Sequence, residues 1–357
     1  MCSKNNVLDF RNQVFFIGMD VHKRNWSIKI RNNDMVLKKF SMNPDPKELY
    51  NYMQRNYPNG EYRSCYEAGF SGYWAHRELT ELGIKNIVVN AADVPSSNKE
   101  KNRKTDPIDA GKLARELEKN NLKGIYIPDK LSEELRSLSR QRYQAMKDKT
   151  RIKNRIKSYL AFYGHKIPEN YQVKNWSGGF IEQLRQLEFN YPIGKDQLNI
   201  YLEQLIETKS RMLVIIRQLR QYIKQYGKED QIKLLMSIPG VGYTTAVTFL
   251  TELIDINRFK GLDGLCAYVG LVPSIYCSGE KEKIRGLSQR HNKYLRSLII
   301  EDSWVAVHED PALTMSFNEL IKRMKKQEAI IRIAKKLLSR MYFVLKNQTE
   351  YTYSVVK

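Results

Sequence analysis

Three short runs near the start of the chain, Val14–Asp20, Trp26–Arg31 and Met35–Ser41, are separated by short polar turns, the first mostly apolar and the second alternating apolar with polar. Runs of this length between turn signals predict three β-strands. Asn32-Asn33-Asp34 supplies hairpin-turn chemistry between the second and third, so the strands should pair antiparallel. The pattern turns helical over 44–55, returns to a strand over 62–68, and is helical again over 71–82 before Gly83. A fifth strand is expected at 86–90, and a lysine-rich stretch, 96–104, leads into a helix over 107–119. A meander followed by alternation predicts a mixed sheet with helices, not a doubly wound parallel one.

Past Pro128 the period is almost wholly helical. Residues 132–163 and 198–226 read as long helices, and Leu198, Leu202, Leu205, Leu213, Ile216 and Leu219 form an apolar stripe at three- and four-residue spacing. That spacing predicts a helical hairpin or coiled coil. From Leu234 a helical unit with glycine turns is expected, closing on the basic helix 329–346. The expected organisation is an α/β domain over 1–128, a helical, coiled-coil linker over 129–232, and a helical C-terminal domain over 233–357.

The length, 357 residues, agrees with two or three domains, and an apolar content of 42% supports a real core. Charge changes the picture more. Sixty Lys and Arg face 39 Asp and Glu, a net charge of +21, which predicts an anionic partner, a nucleic acid by default. The cations are not confined to one amphipathic segment, so a membrane surface fits poorly. No apolar run approaches the roughly 20 residues of a membrane span, and the N-terminal residues lack a signal-peptide stretch. Four scattered cysteines without a CxxC pair and five dispersed histidines argue against a disulfide framework or a structural zinc site. A cytoplasmic protein is expected.

Four carboxylates stand where chemistry could use them: Asp20 ends the first strand, Glu67 the fourth, and Asp106 and Asp109 open the helix after the lysine-rich stretch. Carboxylates on neighbouring strand ends and a facing helix suit a hard divalent cation, Mg2+, as one or two ions. Helix initiation alone would also select Asp106-Pro107-Ile108-Asp109. Glu67, inside a half-buried strand, has no capping role to explain it. A second feature is Ser278 on a glycine-flanked turn, followed by Lys281, Lys283, Arg285, Arg290, Lys293 and Arg296. A hydroxyl among cations could attack a phosphodiester. An ordinary Ser-Gly turn on a basic surface is the competing reading, and Cys277 is a competing nucleophile. Gly240 and Gly242 could bring backbone N–H groups to a phosphate at a helix N-terminus, or simply turn the chain between packed helices. Residues 139–158 carry eight Lys and Arg with Asp148 alone against them, and 322–336 carry seven with Glu328. Such runs suit phosphate contact.

In this order the motifs resemble the DEDD transposases of the IS110 type. They are Ile17-Gly18-Met19-Asp20-Val21-His22-Lys23, Tyr66-Glu67-Ala68, Lys104-Thr105-Asp106-Pro107-Ile108-Asp109-Ala110, Ile238-Pro239-Gly240-Val241-Gly242, Tyr268-Val269-Gly270-Leu271-Val272-Pro273, Ser278-Gly279 and Tyr294-Leu295-Arg296. The resemblance implies a RuvC-like, RNase H-type domain holding Asp20, Glu67, Asp106 and Asp109 around Mg2+. It further implies a coiled coil that makes a homo-oligomer, dimer or tetramer, and a C-terminal transposase domain with Ser278 as nucleophile. It implies a phosphoserine intermediate, donor and target DNA as substrates, and a structured bridge RNA as guide, in the bacterial cytoplasm at the nucleoid. Two departures stand out: Cys277-Ser278-Gly279-Glu280 replaces a Ser-Ser-Gly-Gly pattern, and His291-Asn292 replaces a Gly-Asn pair. The competing functions are a water-using RuvC-like nuclease or junction resolvase, and a non-catalytic nucleic-acid-binding protein.

Overall fold

The computed structural model describes residues 9–95, 106–167, 176–278 and 281–353, with backbone alone at 106–107, 275–278 and 281–285. The chain divides into two compact units, Met1–Ile127 and Pro128–Lys357.

In the first unit β1 (Val14–Val21) buries Phe15, Ile17, Met19 and Val21, alternate positions that put one strand face into a core. It lies at the centre of a five-stranded sheet with β2 (Trp26–Asn32), β3 (Met35–Met42), β4 (Glu61–Glu67) and β5 (Lys85–Val89), in the order β3-β2-β1-β4-β5. β1–β2 and β2–β3 are antiparallel, whereas β1–β4 and β4–β5 are parallel. The sheet is therefore mixed, as the pattern predicts. The β2–β3 turn places Asn33 and Asp34 at φ +46° and +60°, a left-handed conformation these residues tolerate better than most.

Each sheet face has its own cover. α1 (Pro46–Asn56) begins with the Asp45 carboxylate accepting from the Lys47 N–H and with proline in the first turn, and it buries Leu49 and Met53. α2 (Trp74–Glu81) adds Ala75 and Leu79, and both helices pack on Phe15, Ile17, Met19, Trp26, Ile28 and Tyr66. The opposite face lies under α3 (Asp106–Glu118), where Leu113 packs with Cys65, Val89 and Val94. Contact there is backbone to backbone. A Cβ on Gly18 would stand 2.0 Å from the Ala110 carbonyl oxygen and 2.4 Å from the Ala114 nitrogen, so only glycine admits the helix this close. The far end of α3 is tied to the β2–β3 hairpin. Arg31 pairs with Glu118 at 2.6 Å, and Glu118 also accepts from the Asp34 N–H at 2.9 Å.

The second unit opens with α4 (Lys130–Phe162), α5 (Gly178–Arg185) and α6 (Pro192–Gln225), of which α4 and α6 form the expected long helical pair. Ile152, Ile156 and Leu160 of α4 pack with Phe180 and Leu184 of α5 and with Leu198, Leu202 and Leu205 of α6. A separate, larger core takes in Ala145, Ile215, Leu219 and Ile223 from the same two long helices. The rest of it comes from α7 (Glu229–Met236), α8 (Tyr243–Leu253), α9 (Leu262–Val269), α10 (Arg296–Glu309), α11 (Pro311–Ile321) and α12 (Lys326–Asn347). The reading of this region as wholly helical misses one element. β6 (Pro273–Ser278) and β7 (Lys281–Leu287) pair as an antiparallel ribbon; β6 is only six residues, and four of the seven residues of β7 are charged, which hides its period. Among the described residues no helix is long and apolar enough to cross a membrane.

Candidate active site

The sheet register explains why the first two carboxylates share a face. Gly18 of β1 and Cys65 of β4 are Cα partners. Both turn toward α3, Gly18 through its contact with Ala110 and Ala114, and Cys65 through its Sγ, 3.5 Å from the Leu113 carbonyl oxygen. Asp20 and Glu67 come two residues later on the same strands and so return to that face. They stand one step beyond the Met19–Tyr66 pair, at the C-terminal ends of parallel neighbours about 4.8 Å apart. Asp109 lies in the first turn of α3, and Asp106 is its first residue, with a side chain outside the described ones.

Asp20, Glu67 and Asp109 are all half-buried. His22 Nε2 lies 3.3 Å from the Asp20 carboxylate, an imidazole neighbour that the spacing of the histidines in sequence does not single out. Burial, and then the Glu67 charge, push the Cys65 thiol far above the ordinary range, so this cysteine is an inert packing group. Lys29, across the ladder from Gly18, lies against Gly111 of α3. Burial, then Lys39, Arg31 and Arg115, hold its ammonium below the usual lysine value. Among the described residues no group of three or more His, Cys, Asp or Glu side chains is placed to hold a metal ion. In donor type the four carboxylates suit a hard cation, because they offer only oxygen.

The second unit holds the other candidates. Ser278 is the last residue of β6 and pairs with Lys281, while Tyr276 pairs with Lys283; residues 279 and 280 lie outside the described ones. Lys281, Lys283 and Arg285 follow along β7. Arg290 and Lys293 are exposed beyond it, Lys293 with its Nζ 5.1 Å from the Tyr294 ring centre. Arg296 is half-buried and donates from Nη1 to the carbonyl oxygens of Ser288 at 2.7 Å and Gly270 at 3.3 Å, which ties the segment after β7 to the end of α9.

The two glycines of the Gly-Val-Gly turn differ. Gly240 has φ +84° and presses on Ala306 of α10, where a Cβ would meet backbone at 2.7 Å. Its N–H donates to the Glu309 carboxylate at 2.8 Å. Gly242, the N-cap of α8, has extended backbone and open space where a Cβ would be.

Sequence reasoning missed a buried polar hub. Glu252 is fully buried in α8 and takes a two-pronged contact from Arg140 of α4, at 2.6 and 2.8 Å. Asn292 donates to the same carboxylate at 2.9 Å, and its own Oδ1 accepts from the Tyr294 and Leu295 N–H groups just before α10. The Tyr268 hydroxyl donates to the Glu252 carbonyl at 3.1 Å. An acid in the apolar run Ala246–Leu253 was the available sign. The asparagine of the divergent His291-Asn292 pair thus links a buried carboxylate to the turn that carries Lys293.

Comparison with known proteins matches both halves. A DEDD transposase model of the IS110 type covers residues 17–165, and the model described as Transposase IS116/IS110/IS902 family covers residues 232–317. The protein y4qE of Sinorhizobium fredii, named a transposase, is 28% identical over 240 residues, which are 67% of this chain and 57% of that one. The transposase for insertion sequence element IS1111A of Coxiella burnetii is 25% identical over 292 residues, 79% of this chain and 77% of its own. The pilin gene-inverting protein of Moraxella bovis is 32% identical over 127 residues, 33% of this chain and 38% of that protein. With one IS110-type model matching residues 17–165, which include the carboxylate face, and a second matching residues 232–317, the chain belongs to the IS110 family of transposases.

Proposed function

We propose that this protein is a DNA transposase and recombinase that exchanges strands through a covalent serine–DNA link. In this reading Asp20, Glu67, Asp106 and Asp109 hold Mg2+, and Ser278 attacks. The observation that supports it best is the shared face of Asp20 and Glu67, at neighbouring strand ends under the helix whose first turn carries Asp109. Bound there, one or two Mg2+ ions would neutralise charge and polarise oxygens of a phosphodiester. The chain's own residues do the rest. Three rigid elements fix the carboxylates, and the cations after Ser278 receive the non-bridging oxygens. Ser278 Oγ bonds to phosphorus, the P–O3′ bond breaks, the hydroxyl proton passes to water, and the 3′ oxygen leaves protonated. The phosphoserine ester keeps the bond energy, so another 3′-hydroxyl can attack it and free the serine. Gene inversion, the activity in the name of the Moraxella bovis relative, rejoins as many linkages as it breaks, and this chemistry serves that need.

Two further parts complete the proposal. A structured guide RNA pairs with donor and target DNA and supplies sequence choice, while the protein grips shape and backbone. A homo-oligomer, dimer or tetramer, brings the carboxylates of one subunit to the serine of another. Denaturing electrophoresis after incubation with Mg2+, guide RNA and DNA carrying the element's ends tests the chemistry. The wild type should yield a protein–DNA adduct that Ser278→Ala lacks. A Ser278→Ala chain that cleaves at the wild-type rate, with no adduct from either protein, refutes the serine reading in favour of a water-using nuclease. Mixing Ser278→Ala with Asp20→Ala subunits should restore strand exchange if the site is shared.

A further inference from the structure

The long helical pair has a defect that stability alone does not explain. On α4 the positions Leu135, Leu138, Arg142, Ala145, Lys149, Ile152, Ile156 and Tyr159 follow the alternating three- and four-residue spacing of a coiled-coil seam. Two of these eight are cations. No apolar side chain is buried between Ala145 and Ile152 on α4, nor between Leu205 and Ile215 on α6. These stretches separate the two cores to which the helices contribute. Thr208 and Lys209 of α6 fall in the same gap.

No acid among the described residues answers the cations in and beside the gap. Among the described residues no carboxylate forms an ion pair with Arg142, Lys149, Lys153 or Lys209; the nearby Asp148 is paired with Arg151 at 2.7 Å. Arg142 is only 9% exposed, and its Nε is buried without an acceptor among those residues. Lys209 Nζ donates to the Trp176 carbonyl oxygen, and Lys153 Nζ lies 5.5 Å from the centre of the Trp176 ring, so one residue gathers both ammonium groups. Burial, and then the charges of Lys209 and Arg142, hold Lys149 below the usual lysine value; Lys153 is lowered by burial and then by Lys149, Lys209 and Lys157. These groups repel one another in the free protein. Leucine at the same seam positions would pack with neither repulsion nor a buried polar atom.

We propose that this gap is a phosphate-binding site for the phosphodiester backbone of a nucleic-acid strand laid across the α4–α6 pair, held by Arg142, Lys149, Lys153 and Lys209. It rests on the reading that the protein handles nucleic acid and adds a contact remote in sequence from every residue assigned to the chemistry. A phosphate supplies the negative charge that the cluster lacks, and backbone contact of this kind positions a strand without reading its bases.

The test uses the full chain with Lys149→Met, Lys149→Gln and Lys209→Met variants, and with Lys233→Met as a control at an exposed lysine paired with Asp230 at 3.1 Å. Fluorescence anisotropy over a salt series measures binding of a labelled DNA duplex and a labelled RNA stem–loop. The seam variants should bind more weakly, with the slope of log K against log salt reduced by about 0.9 per lost duplex contact or about 0.7 per single-strand contact. Loss confined to one probe identifies which strand crosses the gap. Melting of the free protein should be unchanged or raised in the methionine variants, since repulsion is removed. Unchanged slopes in the seam variants, or an equal loss in Lys233→Met, overturn the site. A wild type whose binding ignores salt instead overturns the nucleic-acid reading beneath it.

Discussion

Gly18→Ala perturbs the fold where it meets the candidate site. The new methyl would sit 2.0 Å from the Ala110 carbonyl oxygen, 2.4 Å from the Ala114 nitrogen and 3.0 Å from the Ala114 Cα. Since non-bonded heavy atoms rest at about 3.5 Å or more, α3 must retreat by about 1.5 Å. Its far end is held by the Arg31–Glu118 pair, so the displacement falls on the first turn, where Asp106 and Asp109 stand. Overpacking of this kind costs about 1–3 kcal/mol, and a misplacement of about 1 Å at a reacting centre costs about 100-fold in rate. Urea unfolding should register the first effect and Mg2+-dependent strand cleavage the second, with cleavage lost even where the protein remains folded. Gly111→Ala is the control on the same helix. A Cβ there meets the Lys29 side chain, 2.7 Å from Nζ and 2.9 Å from Cδ, and alanine gains about 1 kcal/mol in helix propensity, so the loss of stability should be much smaller than in Gly18→Ala. A Gly18→Ala protein with wild-type stability and cleavage would mean that α3 does not press on β1, and the argument that gathers the carboxylates on one face would fail.

Other expectations concern the second unit. Arg140→Met leaves the fully buried Glu252 carboxylate without its cation and should destabilise by about 3–5 kcal/mol in urea unfolding; a change within error would show that the hub is not a closed ion pair. Asp302, whose Oδ2 is buried without a hydrogen-bond partner, has its pKa pushed up to about 7 by burial, with a smaller contribution from Glu301. The folded state therefore holds a proton that the unfolded chain releases near about pH 4. Stability from this group is fully present below that value and falls by up to about 1.4 kcal/mol per pH unit as pH rises toward 7. Asp302→Asn should flatten the plot of stability against pH in that window, and parallel wild-type and variant curves would refute the assignment.

Much of the fold is legible locally because its causes are local. Short runs between polar turns mark β1–β4, the Asn33-Asp34 turn sets the meander, Asp45-Pro46 starts α1, and Leu198–Leu205 announces α6. The β6–β7 ribbon escapes because β6 is short and β7 is crowded with charge. Candidate chemistry is legible as residue types, four carboxylates and one serine, but the roles of neighbouring groups are not. Gly240 reads in sequence as a phosphate contact or as a turn between packed helices, and its N–H meets Glu309, 69 residues away. Glu252 and Asn292 gave no sign that they would meet across 40 residues, or that Arg140 would join from 112.

The sequence by itself determined the first five strands, the long helices, several caps and turns, the basic excess and the order of the family's motifs, since periodicity, capping and charge act over a few residues or over the whole composition. Tertiary structure alone decided that Gly18 and Cys65 turn Asp20 and Glu67 under α3, that Arg296 fastens the segment after β7, and that the α4–α6 seam opens on four cations. Those outcomes depend on strand register and on which helix faces meet. Burial energy sets both through contacts between residues far apart along the chain, and such pairings leave no period to read.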